Sequence, residues 1–308
     1  MTVVAPSPTR PSNIRLTVCV AAVAACVPYA LLKIAWIAGS DIGIADAEAA
    51  AQMHGAEFRI GNAITLGLEL GAVAIVTTLT FARRMPAIAV LGPIWVGSGL
   101  LAPFVIALPL GLAVQAVAGG SPAPDDGGLN GWVFAVVYGG FILQALFLTA
   151  AFLLHAVTRW AWAFRLQADD VSPGPTYALQ RLMAGTGIIV AAFIATVHVL
   201  WAADPGAFGG PDAFDTAAQR TFLLVGGLIP FGGALGVLAL VRRRRGGSLR
   251  LPLATAWIGS AAAFVAPLLP AASQSRFEAF VDAVGGMTGV ALAITALLVL
   301  IEARAAER

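Results

Sequence analysis

The chain has 308 residues, of which 59% are hydrophobic and only 11% are charged, and its net charge at pH 7 is +2. A soluble domain is about 25% charged, so this composition, together with a mean hydropathy of +0.88, excludes an ordinary soluble protein. We therefore expect an all-α polytopic membrane protein.

Eight apolar runs are long enough to cross a bilayer, whose hydrocarbon core of roughly 30 Å takes about 20 helical residues. We predict helices near 16–39, 60–82, 86–114, 131–157, 180–202, 219–241, 250–270 and 283–302. Residues 1–15 are predicted to form a disordered tail. The first run holds both cysteines, Cys19 and Cys26, whose seven-residue spacing is about 10 Å along a helix and too long for a disulfide. The small residues "VAAC" at 23–26 also fit a cleavage site, but cutting there would leave too short a span.

Basic residues are distributed unevenly over the loops. With the N-terminus in the cytoplasm, fourteen of the eighteen basic residues fall on the cytoplasmic side, and most acidic residues fall on the other. This bias predicts that both termini are cytoplasmic. The arginine run 242–245 could also bind nucleic acid. Directly after a span it is interpreted as a topology determinant facing lipid headgroups, so no nucleic-acid partner is expected.

The sequence also repeats itself. "IWVGSGLLAPFVIALP" from Ile94 matches "AWIGSAAAFVAPLLP" from Ala256, and "KIAW" at 33–36 matches "HVLW" at 198–201. Further matches in the same order align Arg59 with Arg220, Gly71 with Gly232, and the glycine pair 139–140 with 285–286. We predict two tandem four-helix units, 16–165 and 166–308. Because each has an even number of spans, both insert the same way round, related by a pseudo-two-fold axis along the membrane normal.

The K/H-x-x-W element near the outer end of a helix, followed by glycine within a four-span unit, resembles a family of small uncharacterised bacterial integral membrane proteins, here present twice. The resemblance implies the four-helix architecture for nearly the whole chain and a location in a bacterial cytoplasmic membrane. It implies no mechanism.

Charged residues inside the spans are the first candidates for a functional site. Lys33, the only lysine, and Glu69, the only acid in the interior of a span, are predicted on neighbouring antiparallel helices. The lysine would lie about 9 Å and the glutamate about 13 Å below the outer ends of their helices. Helical side chains lean toward the N-terminus, so the two head groups would converge. We expect them to form an ion pair or to share a polar cavity; independent water-lined or snorkelling positions are the alternative.

The repeat places His198 at the position of Lys33 and Pro230 at that of Glu69. His198 is therefore a candidate ligand or proton-coupling group, although a hydrogen-bonded histidine near the interface is the plainer interpretation. The three histidines show no metal-ligand spacing, and neither a metal site nor a cofactor motif is expected.

Four tryptophans recur in the two units and are candidate cavity walls: Trp36, Trp201, Trp95 and Trp257. The first two could equally be interfacial anchors, and the other two precede small-residue runs that allow close helix approach. The two matching outer loops, 40–59 and 203–220, are predicted to carry short surface helices, which could act as lids.

No sequence motif of an ATPase, metalloprotease or classical hydrolase is present. We predict an integral membrane protein with an outward-facing polar cavity that binds or transports a small molecule or ion. One alternative is an intramembrane enzyme acting on a small lipophilic substrate, with Glu69 or His198 as general acid or base. The other is an accessory or structural membrane protein without a cavity. The lipid bilayer is the one partner that the sequence indicates, and the oligomeric state is left open.

Overall fold

A computed structural model of the chain describes residues 12–81, 86–120, 128–212, 214–243, 247–268 and 275–306. The described ranges contain nine α-helices: α1 (Asn13–Ile37), α2 (Ala47–Met53), α3 (Ala56–Phe81), α4 (Ala87–Ala118), α5 (Gly131–Arg159), α6 (Tyr177–Ala203), α7 (Ala217–Arg242), α8 (Arg250–Val265) and α9 (Arg276–Ala306). All except α2 belong to segments long and apolar enough to cross a bilayer. The predicted all-α polytopic membrane fold is confirmed.

The predicted spans differ from the observed helices mainly at their ends. Helix α9 begins at Arg276, seven residues before the predicted start, and α4 continues to Ala118. Helix α1 begins at Asn13, where the Ser12 side chain accepts a hydrogen bond from the Arg15 amide. Residues 13–15 are thus helical, which corrects the predicted tail, and residues 1–11 lie outside the described residues.

The loops that precede α3 and α7 differ in structure. The first contains the predicted surface helix, α2, whose N-cap Asp46 accepts a hydrogen bond from the Ala49 amide. The second contains only a single 3₁₀ turn at Ala207–Gly209, so the helix predicted there is wrong for the described part of that loop. Its glycines and prolines, in "DPGAFGGP", explain the difference because both residue types disfavour a continuous helix.

The long helices alternate in direction between two ends of the bundle. One end, which we call the α2 end, carries α2 and the C-terminal ends of α1, α4, α6 and α8. The other, the linker end, carries residues 160–176 between α5 and α6. The main-chain bridge between Ile44 and Leu129 lies at the α2 end, and that between Gln167 and Ser248 lies at the linker end.

The long helices form two sets with the same pattern of neighbours, although the extent of packing differs between the sets. In the first set, α1 packs against α3 and α5, and α4 packs against α5 and, less extensively, α3. In the second set, α6 packs against α7 and α9, and α8 packs against α9 and α7. Corresponding helices therefore have corresponding neighbours.

Helix α4 joins the two sets by packing against α7 and α8. The approach is closest at Gly99, where an added Cβ would collide with the Ala261 backbone. Toward the α2 end, the buried Gln115 side chain accepts a 3.0 Å hydrogen bond from the Ala218 amide. Gln115 thereby satisfies one of the main-chain N–H groups that the first turn of α7 leaves without a partner.

Candidate functional site

Six side chains along the seam between α1 and α3 form a group that we call the polar row. Helix α1 contributes Cys26, Tyr29 and Lys33, and helix α3 contributes Asn62, Thr65 and Glu69. Both triplets have the spacing i, i+3, i+7, which places each on one face of its helix. Because the helices are antiparallel, Lys33 lies opposite Asn62, Tyr29 opposite Thr65, and Cys26 opposite Glu69.

Lys33 lies at the end of the polar row nearer the α2 end, four residues or about 6 Å before α1 ends. Its ammonium group donates a 2.8 Å hydrogen bond to Asn62 Oδ1, and Asn62 is only 4% exposed. The Nζ atom also lies 4.7 Å from the centre of the Tyr29 ring and 5.1 Å from that of the Trp36 ring. Both distances are in the range of cation–π attraction, so an amide oxygen and two rings hold the charge.

Glu69 lies near the midpoint of α3 and is 5% exposed. Its two carboxyl oxygens accept hydrogen bonds of 3.2 and 3.0 Å from Nε2 of Gln144 on α5. The same amide nitrogen lies 3.4 Å from the Ala25 carbonyl oxygen, and the Cys26 thiol interacts with the carboxyl group. The partners of Glu69 are thus uncharged.

The expected direct ion pair between Lys33 and Glu69 is not formed. No nitrogen of Lys33 lies within 4.0 Å of the Glu69 carboxyl oxygens, although the two groups interact electrostatically at longer range. The partner of Lys33, Asn62, lies seven residues from Glu69, or roughly 10 Å along the helix axis. The two predicted residues share the polar row, but each has a neutral amide as its direct partner.

Tyr29 and Thr65 occupy the middle of the polar row. The Thr65 hydroxyl has one proton, which it donates to the main-chain oxygens of Gly61 and Asn62 at 3.0 and 3.1 Å. The Tyr29 and Thr65 hydroxyls interact, and Tyr29 also interacts electrostatically with Glu69. The far side of the Tyr29 ring is held by an edge-on contact with Phe141, at 5.0 Å between ring centres.

His198 does not join the polar row. Its Nδ1 atom lies 2.9 Å from the Ile194 carbonyl oxygen one turn earlier in α6, and its ring lies 5.2 Å from that of Trp201. On the other side it packs against Gly226 and Gly227 of α7. Its described contacts are therefore confined to the second set, and they are those of a hydrogen-bonded histidine in a helix interface.

Trp36 and Trp201 make the same contact in the two sets. Trp36 Nε1 donates to the Ile42 carbonyl oxygen at 2.9 Å, and Trp201 Nε1 donates to that of Ala207 at 3.0 Å. In each case the acceptor lies six residues further on, in the loop that follows the helix. Both tryptophans are buried and attach a loop at the α2 end to the helix before it.

Trp95 and Trp257 hold the two sets together. Trp95 Nε1 donates to Ser260 Oγ at 3.0 Å, and Trp257 Nε1 donates to Ser98 Oγ at 3.1 Å. Each ring also stacks on a phenylalanine, Phe264 for Trp95 and Phe152 for Trp257. These exchanged hydrogen bonds cross between α4 and α8.

An apolar groove of about 520 Å³ lies between α1 and α5. Its lining is small or hydrophobic and includes Ala21, Pro28, Gly139 and Phe147. None of the residues predicted for the site lines this groove. Within the described ranges, no group of three or more His, Cys, Asp or Glu side chains could hold a metal ion.

A second polar network lies at the linker end. The Glu302 carboxylate accepts hydrogen bonds from the amide and hydroxyl of Thr176, both at 2.7 Å, and from Gln180 Nε2 at 2.8 Å. Arg243 donates to Gln180 Oε1 at 2.9 Å, and its guanidinium lies 3.5 Å from the carboxylate. Arg243 belongs to the run interpreted as facing lipid headgroups, yet its side chain is only 6% exposed and forms this internal ion pair.

The sequence interpretation missed the uncharged members of the polar row and their partner Gln144. Asn, Thr, Tyr and Gln occur in many spans without a special role, so each one alone is a weak signal. The signal that could have found them is the identical i, i+3, i+7 spacing on two neighbouring antiparallel helices.

The fold and this site define an all-α, multi-pass integral membrane protein. Comparisons of the chain with protein families, curated proteins and solved structures found no match.

Proposed function

We propose that this protein binds or transports a small molecule or ion in exchange with protons, and that the polar row is the coupling site. The observation that carries the proposal is the position of Glu69, a buried carboxyl group at mid-helix whose direct partners are uncharged. An acid inside a membrane span is costly to keep, and such acids mark ion and proton pathways in pumps and transporters.

Lys33 supplies the second half of the coupling site. Its ammonium is held by a neutral oxygen and two ring faces, so its charge is available to a negatively charged ligand or to Glu69 after a modest side-chain movement. A site with separated charges can change its proton occupancy without breaking an ion pair. The same charges locked in a direct ion pair would oppose that change.

The orientation that we propose places the α2 end outside a bacterial cytoplasmic membrane and both termini in the cytoplasm. The excess of arginine at the linker end supports this orientation. The polar row then begins about 6 Å from the outer end of α1 and reaches the middle of α3.

The tandem duplication, with its resemblance to four-span membrane proteins, is part of the same proposal. The matching helix neighbours, the equivalent Trp36 and Trp201 contacts, and the exchanged Trp95 and Trp257 hydrogen bonds support it. At the positions of the polar row, the second set has Ala191, Ile194, Leu223, Gly226 and Pro230, with His198 in place of Lys33. In this proposal the first set keeps the coupling site and the second set has become mainly a scaffold.

Two observations bear on the alternatives. Glu69 and His198 cannot serve one enzyme site together, because the contacts of His198 lie on α6 and α7 whereas those of Glu69 lie on α1 and α5. An accessory protein without a site would gain nothing from a buried acid that has no cationic partner, because an apolar residue packs there at lower cost.

Dicyclohexylcarbodiimide, an apolar reagent that requires a protonated carboxyl group, tests the proposal. The carboxyl proton moves to a carbodiimide nitrogen, the carboxylate adds to the central carbon, and rearrangement leaves a stable acylurea on the side chain. Peptide mass spectrometry on protein labelled in membranes should find Glu69 modified, with the yield falling as the pH is raised. Glu302 is the internal control, because its arginine partner and hydrogen bonds should keep it unreactive.

Two outcomes would overturn the proposal. One is that Glu69 stays unmodified in folded protein at every pH while the unfolded chain reacts. The other is that labelling of Glu69 does not depend on pH. Loss of labelling at Glu69 in Glu69→Gln, with the rest of the peptide map unchanged, verifies the assignment.

A further inference from the structure

We propose that the polar row carries protons between the solution at the α2 end and Glu69, with Tyr29 as the group that passes them on. This inference rests on the proposed function and adds the route by which the buried acid exchanges protons. It assigns a role to Asn62, Thr65 and Tyr29, which the sequence interpretation did not single out.

The spacing of the polar row fits such a route. Its three levels are three or four residues apart on each helix, or about 5 to 6 Å. A tyrosine side chain is longer than one such step, and Tyr29 occupies the middle level of the polar row. It interacts with the Thr65 hydroxyl and electrostatically with Glu69, while the same ring lies against the Lys33 ammonium.

The hydrogen-bond inventory leaves the required protons available. An ammonium group has three donors, of which Asn62 takes one, so two remain for water or for the polar row. Since the Thr65 proton is directed at main-chain oxygens, Thr65 has no proton to pass to Glu69. The Tyr29 hydroxyl is then the group at the middle level that can pass one on.

The proposed transfer moves one proton from Lys33 to Glu69 through Tyr29. The Lys33 ammonium gives a proton to the Tyr29 oxygen while the Tyr29 hydroxyl proton passes to a Glu69 carboxylate oxygen. Lys33 becomes a neutral amine, Tyr29 again carries one proton, and Glu69 becomes a carboxylic acid. Water at the α2 end then returns a proton to Lys33, and the reverse sequence empties Glu69.

The surroundings of the polar row contain few competing groups. On α5, Gln144 bonds to Glu69 and Tyr138 interacts electrostatically with Tyr29; on α1, Cys26 lies beside Glu69. Tyr138 is the control because it is a nearby tyrosine that also lies in an aromatic cluster; it is half-buried and stacks on Phe104 and Phe134. The seam between α6 and α7 has no polar side chain at the middle level, where Ile194 and Gly226 stand.

The test measures how fast Glu69 becomes protonated. Right-side-out membrane vesicles containing the full chain receive a sudden external acidification with the interior buffered, and dicyclohexylcarbodiimide is added in short pulses afterwards. In Tyr29→Phe, which keeps the ring but loses the hydroxyl, modification of Glu69 should rise about 10- to 100-fold more slowly than in the parent. The final extent should be unchanged, and Tyr138→Phe should behave like the parent.

Thr65→Val supplies a second variant in case Tyr29→Phe fails to fold, and it should slow the rise in the same direction. Equal rates in the parent, Tyr29→Phe and Thr65→Val would overturn the route while leaving the proposed function intact, because Glu69 would still be labelled. Absence of labelling in every protein would instead overturn the proposed function and this inference together.

Discussion

The Lys33 ammonium donates a 2.8 Å hydrogen bond to Asn62 Oδ1 on the neighbouring antiparallel helix. Through this bond Lys33, which lies inside a membrane span, becomes part of the polar row between α1 and α3. It also separates the lysine from Glu69, whose carboxyl group is held by Gln144 instead. Lys33 and Glu69 therefore have separate direct partners at two depths.

The Lys33–Asn62 bond should be measurable in a double-mutant cycle. Asn62→Leu leaves a half-buried ammonium with ring contacts only, and we expect it to lower the free energy of unfolding by about 1–3 kcal/mol. The coupling between Lys33→Met and Asn62→Leu should be about 1 kcal/mol, in the range of interhelical hydrogen bonds in membranes. Coupling between Lys33→Met and Glu69→Gln should be smaller. Unfolding titrations in mixed micelles give these values, and the reverse order would contradict the structure.

The exchanged tryptophan hydrogen bonds predict a specific pattern of additivity. Ser98→Ala should couple to Trp257→Phe, and Ser260→Ala should couple to Trp95→Phe, because each pair shares one bond. The two serine variants should each cost about 0.5–1.5 kcal/mol and should add, since their bonds are separate. Stability measured by thermal unfolding in detergent tests the pattern. Strong coupling between Ser98→Ala and Ser260→Ala would show that the two bonds are not independent.

Gly97 and Gly259, which the sequence match aligns, should respond in opposite ways to substitution by alanine. A Cβ added to Gly259 would meet the α7 backbone at Gly233, and one added to Gly233 would lie 2.6 Å from the Gly259 Cα. A Cβ added to Gly97 meets no atom within 4 Å. Gly259→Ala should cost about 1–3 kcal/mol because the backbones must separate. Gly97→Ala should be neutral or stabilising by up to about 1 kcal/mol from helix propensity. Melting temperatures of the two variants, measured side by side, decide this.

The ion pair at the linker end predicts different roles for two adjacent arginines. Arg243→Met leaves the Glu302 carboxylate without its cation, and we expect a loss of about 3–5 kcal/mol. Arg242 is exposed, so Arg242→Met should change stability by less than about 0.5 kcal/mol. Chemical unfolding and the yield of folded protein provide the measurement. Similar effects of the two substitutions would mean that position 243 acts only through net positive charge.

The interpretation of the sequence was most successful where one local property decides the outcome. Span number and approximate position follow from summed hydropathy, which depends on neighbouring residues only, so α1 and α3 to α9 are close to their predicted ranges. The predictions are wrong where interactions at a helix end or the composition of a loop decide whether residues are helical. Ser12 starts α1 earlier than the apolar run does, and the glycines and prolines near Ala207 prevent a surface helix.

The candidate site was only partly predictable, because a charged residue in an apolar span is a strong signal and an uncharged polar residue is a weak one. Lys33 and Glu69 stand out in apolar spans, and both do lie in the polar row. Asn62 and Gln144 are the residues that hold them, yet in the sequence they resemble ordinary polar residues of a span. Arg243 was interpreted as facing lipid headgroups because it belongs to an arginine run. In the structure its backbone is left-handed, with φ of +49°, and ends α7. Its side chain turns inward to Glu302.

The sequence by itself determined that the chain is a membrane protein of eight spans and which charged residues those spans contain, because transfer of a helix into lipid depends on composition summed along the segment. Only the tertiary structure decided which partner each polar side chain meets. That choice depends on how α1, α3 and α5 are rotated and shifted against one another, and it is set by packing over their whole lengths. Lys33 is therefore hydrogen-bonded to Asn62, and Glu69 is hydrogen-bonded to Gln144. Hydropathy and charge alone do not predict this pairing.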